Sequence, residues 1–221
     1  MREAISWKWL GLCAYEDALA LQNAAWETCR AGGPDVCLAL EHPPTITFGR
    51  RATAVDVLAT GAELANRGVT CHLTERGGRT TYHAPGQLVL YPIVSLTARG
   101  IGVERFVWML EAVMLEIAAA AGVRAHRDRR GRGIWTERGK LGAVGIRVRE
   151  GVTLHGLALN VCLDLAGFDL IAPCGTRGLA VTSLMAEGAT ARVRDVLPAA
   201  ERSCTRLFGA TARTTSHEVH L

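Results

Sequence analysis

The stretch GKLGAVGIRVREGVTLHGLALN, residues 139–160, decides the fold. Val144, Ile146 and Val148 alternate with Gly145, Arg147 and Arg149, the period of two by which a strand buries one face and wets the other. Glu150-Gly151 is a tight turn into a second extended run over 153–161. Upstream, runs at 133–136 and 140–149 flank Glu137-Arg138-Gly139, which has the length and composition of a hairpin loop. Three successive strands joined by such turns form an antiparallel meander, and the rest of the chain must cover it.

Outward from the meander, helices and strands alternate. Before it, Val103, Phe106, Val107, Leu110, Val113, Met114 and Ile117 fall on one stripe of a helix over 103–121, stopped by Gly122. Residues 87–95 are apolar almost throughout, as in a strand covered on both faces, with Pro92 marking an edge or bulge near its end. Tyr15, Leu19, Trp26 and Cys29 predict a helix over 15–30 that Gly32-Gly33-Pro34 ends. Short strands follow at 36–40, before His42-Pro43-Pro44, and at 45–48; a brief helix is expected over 62–67 and an extended run over 71–75. Last, Asp195 is read as the N-cap of a helix over 196–208 closed by Gly209, with Pro198 in its first turn. The fold class is α/β (α+β), a mixed, largely antiparallel sheet flanked by helices.

At 221 residues the chain is expected to be one domain, residues 1–221. Hydrophobic residues at 49% and charged residues at 21% are ordinary for a globular chain and far from the composition of disorder. A formal charge of +4 is too small to argue for nucleic acid and suits an acidic protein partner. The N-terminal sequence has no signal-like apolar run, and no segment approaches the roughly 18 to 20 apolar residues of a membrane span, so a cytoplasmic protein is expected. The cysteines at 13, 29, 37, 71, 162, 174 and 204 form no CxxC pair, which argues against a disulfide framework or a zinc site.

Three segments carry candidate chemistry. In Arg76-Gly77-Gly78-Arg79-Thr80-Thr81-Tyr82-His83-Ala84-Pro85-Gly86-Gln87, paired glycines let backbone approach a ligand and expose N–H donors. It is neither a Walker loop nor a dinucleotide fingerprint. In the 139–160 stretch, three glycines and an alanine on adjacent strands leave room for a slot that a straight acyl chain would fit if larger side chains line its walls. In Ile171-Ala172-Pro173-Cys174-Gly175-Thr176, a cysteine between proline and glycine belongs to a turn, not to the core. A thiol needs a nearby cation or base to act as a nucleophile, and Lys140, His83 and His155 are the candidates.

With these blocks in this order, residues 35–208 resemble the lipoyl(octanoyl) transferases, the octanoyl-carrier-protein:protein N-octanoyltransferases of lipoate biosynthesis. The resemblance rests on RGGRTTYHAPGQ, on GKLGAVGIRV with LHGLALNV, and on APCG. It implies a fold similar to the catalytic domain of biotin and lipoate protein ligases. It also implies a cysteine thioester on Cys174, with Lys140 favouring the thiolate. Substrate contacts would fall on Arg76, Gly77, Gly78, Arg79, Thr80, Thr81, Tyr82 and His83, on Ala143, Val144 and Gly145, and on Gly156, Leu157 and Ala158. The implied donor is octanoyl-acyl carrier protein, and the implied acceptors are lipoyl domains of 2-oxoacid dehydrogenase E2 subunits and the glycine cleavage H protein. No cofactor, metal, nucleic acid or membrane is implied, and a monomer is expected. The acceptor lysine has to lose a proton, for which Lys140 is the first candidate base and His83 the second. The family reads HGPGQ where this chain has Ala84, which would be strained if that backbone needed positive φ.

The alternatives are an ATP-dependent lipoate or biotin-type ligase, which an ATP requirement would reveal, and a carrier-binding module without turnover. The latter would use Arg127, Arg129, Arg130 and Arg132.

Overall fold

The computed structural model describes residues 5–208. In chain order it contains β1 (Ser6–Leu12), α1 (Tyr15–Arg30), β2 (Val36–Glu41), β3 (Thr45–Phe48), α2 (Gly61–Asn66), β4 (Thr70–Leu73), β5 (Thr80–His83) and β6 (Gln87–Ile93). There follow α3 (Leu96–Arg99), α4 (Val103–Ala120), β7 (Gly133–Thr136), β8 (Gly139–Arg149), β9 (Val152–Asn160) and α5 (Val193–Leu207). A six-stranded sheet has the order β1-β2-β6-β9-β8-β7, and a smaller one the order β4-β3-β5. Only β1–β2 and β3–β4 are parallel, so the sheets are mixed and largely antiparallel as the sequence predicts.

The meander forms because its turns are locally encoded. Glu150 and Gly151 both have positive φ, 49° and 76°, and Arg149 pairs with Val152 across them; two left-handed residues give the turn whose twist matches the strands. β6 and β9 lie inside the large sheet and are covered on both sides. Leu88, Leu90, Leu157 and Leu159 face a core built with Phe106, Leu110, Met114 and Ile117 of α4 and Val196 and Ala200 of α5. Val89, Tyr91, Ile93, Leu154 and Ala158 face Ala18, Trp26 and Cys29 of α1.

Several readings need correction. The two faces of β8 do not divide into buried and wet, since every residue from Ala143 to Arg149 is half-buried: Val144, Ile146 and Val148 pack toward the α4 core, while Gly145 lies against Arg76 and Gly77, Arg147 pairs with Glu75, and the Arg149 guanidinium stacks 3.4 Å from the Trp26 ring centre. Pro92 is not on an edge strand; it lies past the last β6–β9 pair, Leu90↔Leu157, where a missing N–H breaks no pairing with β9. α5 begins at Val193, and Asp195 is its third residue, accepting from the Arg192 N–H at 2.8 Å as half of a capping box. Pro198 therefore sits in the second turn, and the expected stop at Gly209 lies outside the described residues. β1 and β5 add strands that the sequence reading did not assign, and α2 and β4 begin one residue earlier than expected. Ala84 carries no positive φ; that role in the loop falls to Gly86 at 91°, so alanine fits without strain.

Candidate active site

Lys140 and Cys174, 34 residues apart, meet at the rim of a cavity of about 460 Å³. β7 and β8 pair Trp135 with Lys140 but Ile134 with Gly142, so Leu141 is an extra residue, a bulge that re-aims the lysine beside it. Lys140 is 6% exposed, and its Nζ donates to the Arg132 carbonyl at 2.9 Å and to Cys174 Sγ at 3.4 Å, 4.9 Å from the Trp135 ring centre. The ammonium is thus buried, oriented by one carbonyl and aimed at one sulfur.

Cys174 is exposed, in the short 3-10 turn Pro173–Gly175, and has φ 57°. A left-handed non-glycine residue persists only where its surroundings hold it. The brace is Asp56, which the sequence reading missed. Its carbonyl accepts from Ala172 N at 2.7 Å, and its buried carboxylate receives Arg79 at 2.8 and 3.1 Å and Thr80 Oγ1 at 3.2 Å. The Arg79 guanidinium holds that carboxyl below its usual range. Gly175 is required here, because a Cβ would lie 2.3 Å from Arg79 Nε. Arg79 therefore supports the cysteine turn as well as lining the cavity.

The cavity runs along the β8–β9 pair. Ala143 faces Ala158 and Gly145 faces Gly156 across the two strands, so neighbouring pairs lack bulk where the slot passes. Gly77 N donates to Ile146 O at 2.8 Å, docking the glycine loop onto β8, and a Cβ on Gly145 would meet the Gly77 carbonyl at 3.1 Å. The amides of Gly78 and Arg79, which follow it in the loop, have no intramolecular acceptor among the described residues.

A polar chain closes the inner wall. Gln87 Nε2 donates to Tyr82 O and Asn160 Oδ1, so Gln87 Oε1 must accept from His83 Nδ1 at 2.7 Å, which fixes the proton on Nδ1. His83 Nε2 then faces Thr47 Oγ1 at 3.4 Å, and that oxygen accepts two bonds from Arg76, at 3.1 and 2.9 Å. Burial, the neighbouring His42 and the Arg76 charge hold His83 down to about 3, and burial with the Arg76 and Arg147 charges holds His155 to about 3. A buried histidine that resists protonation this strongly and whose free lone pair faces a threonine is poorly placed as a base, which counts against His83 in that role. Burial lowers Arg76 itself.

Arg76, Gly77, Gly78, Arg79, Thr80, Thr81, His83, Ala143, Val144, Gly145, Gly156, Leu157 and Ala158 all line this cavity with Lys140 and Cys174. Tyr82 is the exception. Its ring packs edge-on against Phe168 at 5.6 Å in a separate apolar cluster, on the face of β5 opposite to Thr81 and His83. Tyr15, Thr47 and Tyr91 also line the cavity and were not anticipated; Tyr15 and Tyr91 read as ordinary core positions of a helix and a strand.

Comparison with known proteins identifies the family. The family description "Lipoyl protein ligase A/B catalytic domain" matches residues 14–204. An octanoyltransferase of Chloroflexus aurantiacus is 48% identical over 183 residues, covering 81% of this chain and 82% of its own length. The mitochondrial octanoyltransferase LIP2 of Arabidopsis thaliana is 39% identical over 214 residues, covering 96% and 88%. A crystal structure of lipoate-protein ligase A bound with ATP superposes with a TM-score of 0.80 over 99% of this chain and 90% of that one, at 16% identity, a likeness of fold alone. The chain belongs to the lipoyl protein ligase A/B catalytic domain family and, within it, to the octanoyltransferases.

Proposed function

We propose that this chain is a single catalytic domain that moves an octanoyl group from octanoyl-acyl carrier protein, through a thioester on Cys174, to a lysine of lipoyl domains. Those domains would be the E2 subunits of 2-oxoacid dehydrogenases and the glycine cleavage H protein, and the setting cytoplasmic lipoate biosynthesis. The observation that carries the reading is the Lys140 ammonium 3.4 Å from Cys174 Sγ at the rim of a slot floored by alanine and glycine.

The protons balance around Lys140. Thiolate Cys174 attacks the donor thioester, and the departing carrier thiolate takes a proton from the Lys140 ammonium. Neutral Lys140 next takes a proton from the acceptor ammonium. The freed amine attacks the acyl-cysteine, Cys174 leaves as thiolate, and the new amide nitrogen releases its extra proton to water. Thioester exchange is nearly isoenergetic and aminolysis runs downhill, so no nucleotide is consumed.

Intact-protein mass spectrometry after incubation with octanoyl-carrier protein and no ATP should show one octanoyl group gained. Cys174→Ser should abolish the gain, while replacement of any other single cysteine leaves it. Full transfer by Cys174→Ser, or acylation that depends on ATP, would sink the covalent route.

A further inference from the structure

Between α4 and β7 the loop over 124–132 carries Arg124, Arg127, Arg129, Arg130 and Arg132 against one acid, Asp128. That excess equals the +4 of the whole chain, so the remainder is balanced and the basic character is concentrated at one place. The place is the cavity mouth: Gly131 and Arg132 line both the acyl cavity and an adjoining open depression of about 500 Å³, which Glu111, Arg127 and Arg129 also line. Two of the arginines are already used. Arg127 pairs with Glu111 at 3.0 Å, and Arg130 pairs with Asp128 at 2.8 Å while lying 4.2 Å from the Trp135 ring centre. Arg129 and Arg132 are exposed and pair with no acid among the described residues. Beside them Trp108 of α4 is 41% exposed, with Arg105 and Arg127 over its ring at 4.4 and 4.5 Å.

We propose that this arginine face is the docking surface for the acyl donor, an acidic carrier domain whose phosphodiester-bearing arm enters the cavity past Arg129 and Arg132. The proposal rests on the acyl-transfer reading above and adds where the donor lands. A guanidinium's planar fork matches phosphate oxygens, and an exposed, unpaired arginine loses little on binding. The acceptor presents an ammonium, which the same charge repels, so the face suits the donor and not the acceptor. Docking there also reaches the chemistry, since the Arg132 carbonyl is the acceptor that holds Lys140 Nζ at 2.9 Å.

The test compares two donors for acylation of Cys174 in the full chain: octanoyl-carrier protein and octanoyl-N-acetylcysteamine, which has neither phosphate nor carrier. The variant combines Arg105→Glu with Arg129→Glu. With the carrier donor, kcat/KM should fall about tenfold or more, mainly through KM, and the steep salt dependence of the native protein should flatten, because such attraction is screened within about 10 Å at 0.1 M salt. With the short thioester the rate should stay within about twofold of native. Equal losses with both donors, no loss with either, or a loss confined to transfer onto the lipoyl domain would each overturn the assignment. If neither donor acylates the native Cys174, the transfer reading fails. Titration with apo-carrier protein at low salt then still decides the surface, which requires native binding and its loss in the variant.

Discussion

Lys140 owes its position to three things around it: the Leu141 bulge, the Arg132 carbonyl and the Trp135 ring. Burying an ammonium is costly unless its donors are satisfied and an anion is close; among the described residues the only group within hydrogen-bonding reach of Nζ that can become an anion is the Cys174 thiol. Lys140→Met keeps the length and removes the charge. Alkylation of Cys174 by iodoacetamide should slow by about tenfold, because the attacking sulfur loses its neighbouring cation. The deacylation half-reaction should slow separately if Lys140 also accepts the acceptor's proton. Superimposable alkylation curves for the two proteins would remove the electrostatic role. Cys174 was singled out in sequence by its Pro-Cys-Gly turn, whereas a lysine beside a hairpin loop is ordinarily solvated and Lys140 was marked out by the family resemblance of its block. Asp56 was not: its partners Arg79, Thr80 and Ala172 lie 23 or more residues away, and nothing local to it signals them.

At the scale of elements, the β8–β9 hairpin lines the cavity, and under the proposed reaction it would set the length of acyl chain admitted. Ala143↔Ala158 and Gly145↔Gly156 leave space that a larger side chain would take from the acyl chain. Ala143→Leu should therefore shift acylation toward shorter chains, lowering the octanoyl-to-butanoyl preference by about tenfold or more, since one or two methylenes in an apolar pocket are worth ~1–3 kcal/mol each. An unchanged chain-length profile in a folded variant would move the slot elsewhere. The hairpin was readable because two-residue turns and period-two alternation are local signals. β1 was not, because it is an edge strand whose Gly11 has positive φ and whose Leu12 is exposed, so its pattern is incomplete. α5 misled for a related reason: Asp195 can stabilise a helix start either as N-cap or as third residue, and buried Val193 selects the earlier start. The three sequence blocks of the site were each visible, but that Tyr82 would turn away from its neighbours depended on a strand, β5, that the loop-like composition concealed.

Across the whole molecule, the layer between α1 and the two sheets holds three histidines that folding keeps neutral. His42 Nδ1 donates to Cys13 O at 2.7 Å, so Nε2 accepts from Tyr91 OH at 2.8 Å, and a second ring proton would force the Tyr91 hydroxyl to turn from donor to acceptor. Burial brings His42 to about 4, and His83 and His155 stand at about 3. His42 and His83 lie 5.6 Å apart centre to centre, so charging either disfavours charging the other. In the unfolded chain each would titrate near 6.5. The folded values are depressed, so the unfolded state binds more protons wherever the pH is below about 6.5 and above 3–4. The stability contributed by neutral burial is complete above 6.5 and is lost as the pH falls through that window, by up to about 1.4 kcal/mol per pH unit for each histidine. The thermal midpoint should accordingly drop between pH 6.5 and 5, before most carboxylates protonate, and calorimetry at pH 5 should find close to three protons taken up per molecule on unfolding. His42→Gln should reduce that uptake by about one while Cys174 acylation in the refolded protein reports whether the layer still supports the slot. A midpoint that stays level from pH 6.5 to 5 would mean that these imidazoles are hydrated or charged in the native state, and the dry inner wall drawn here would be wrong.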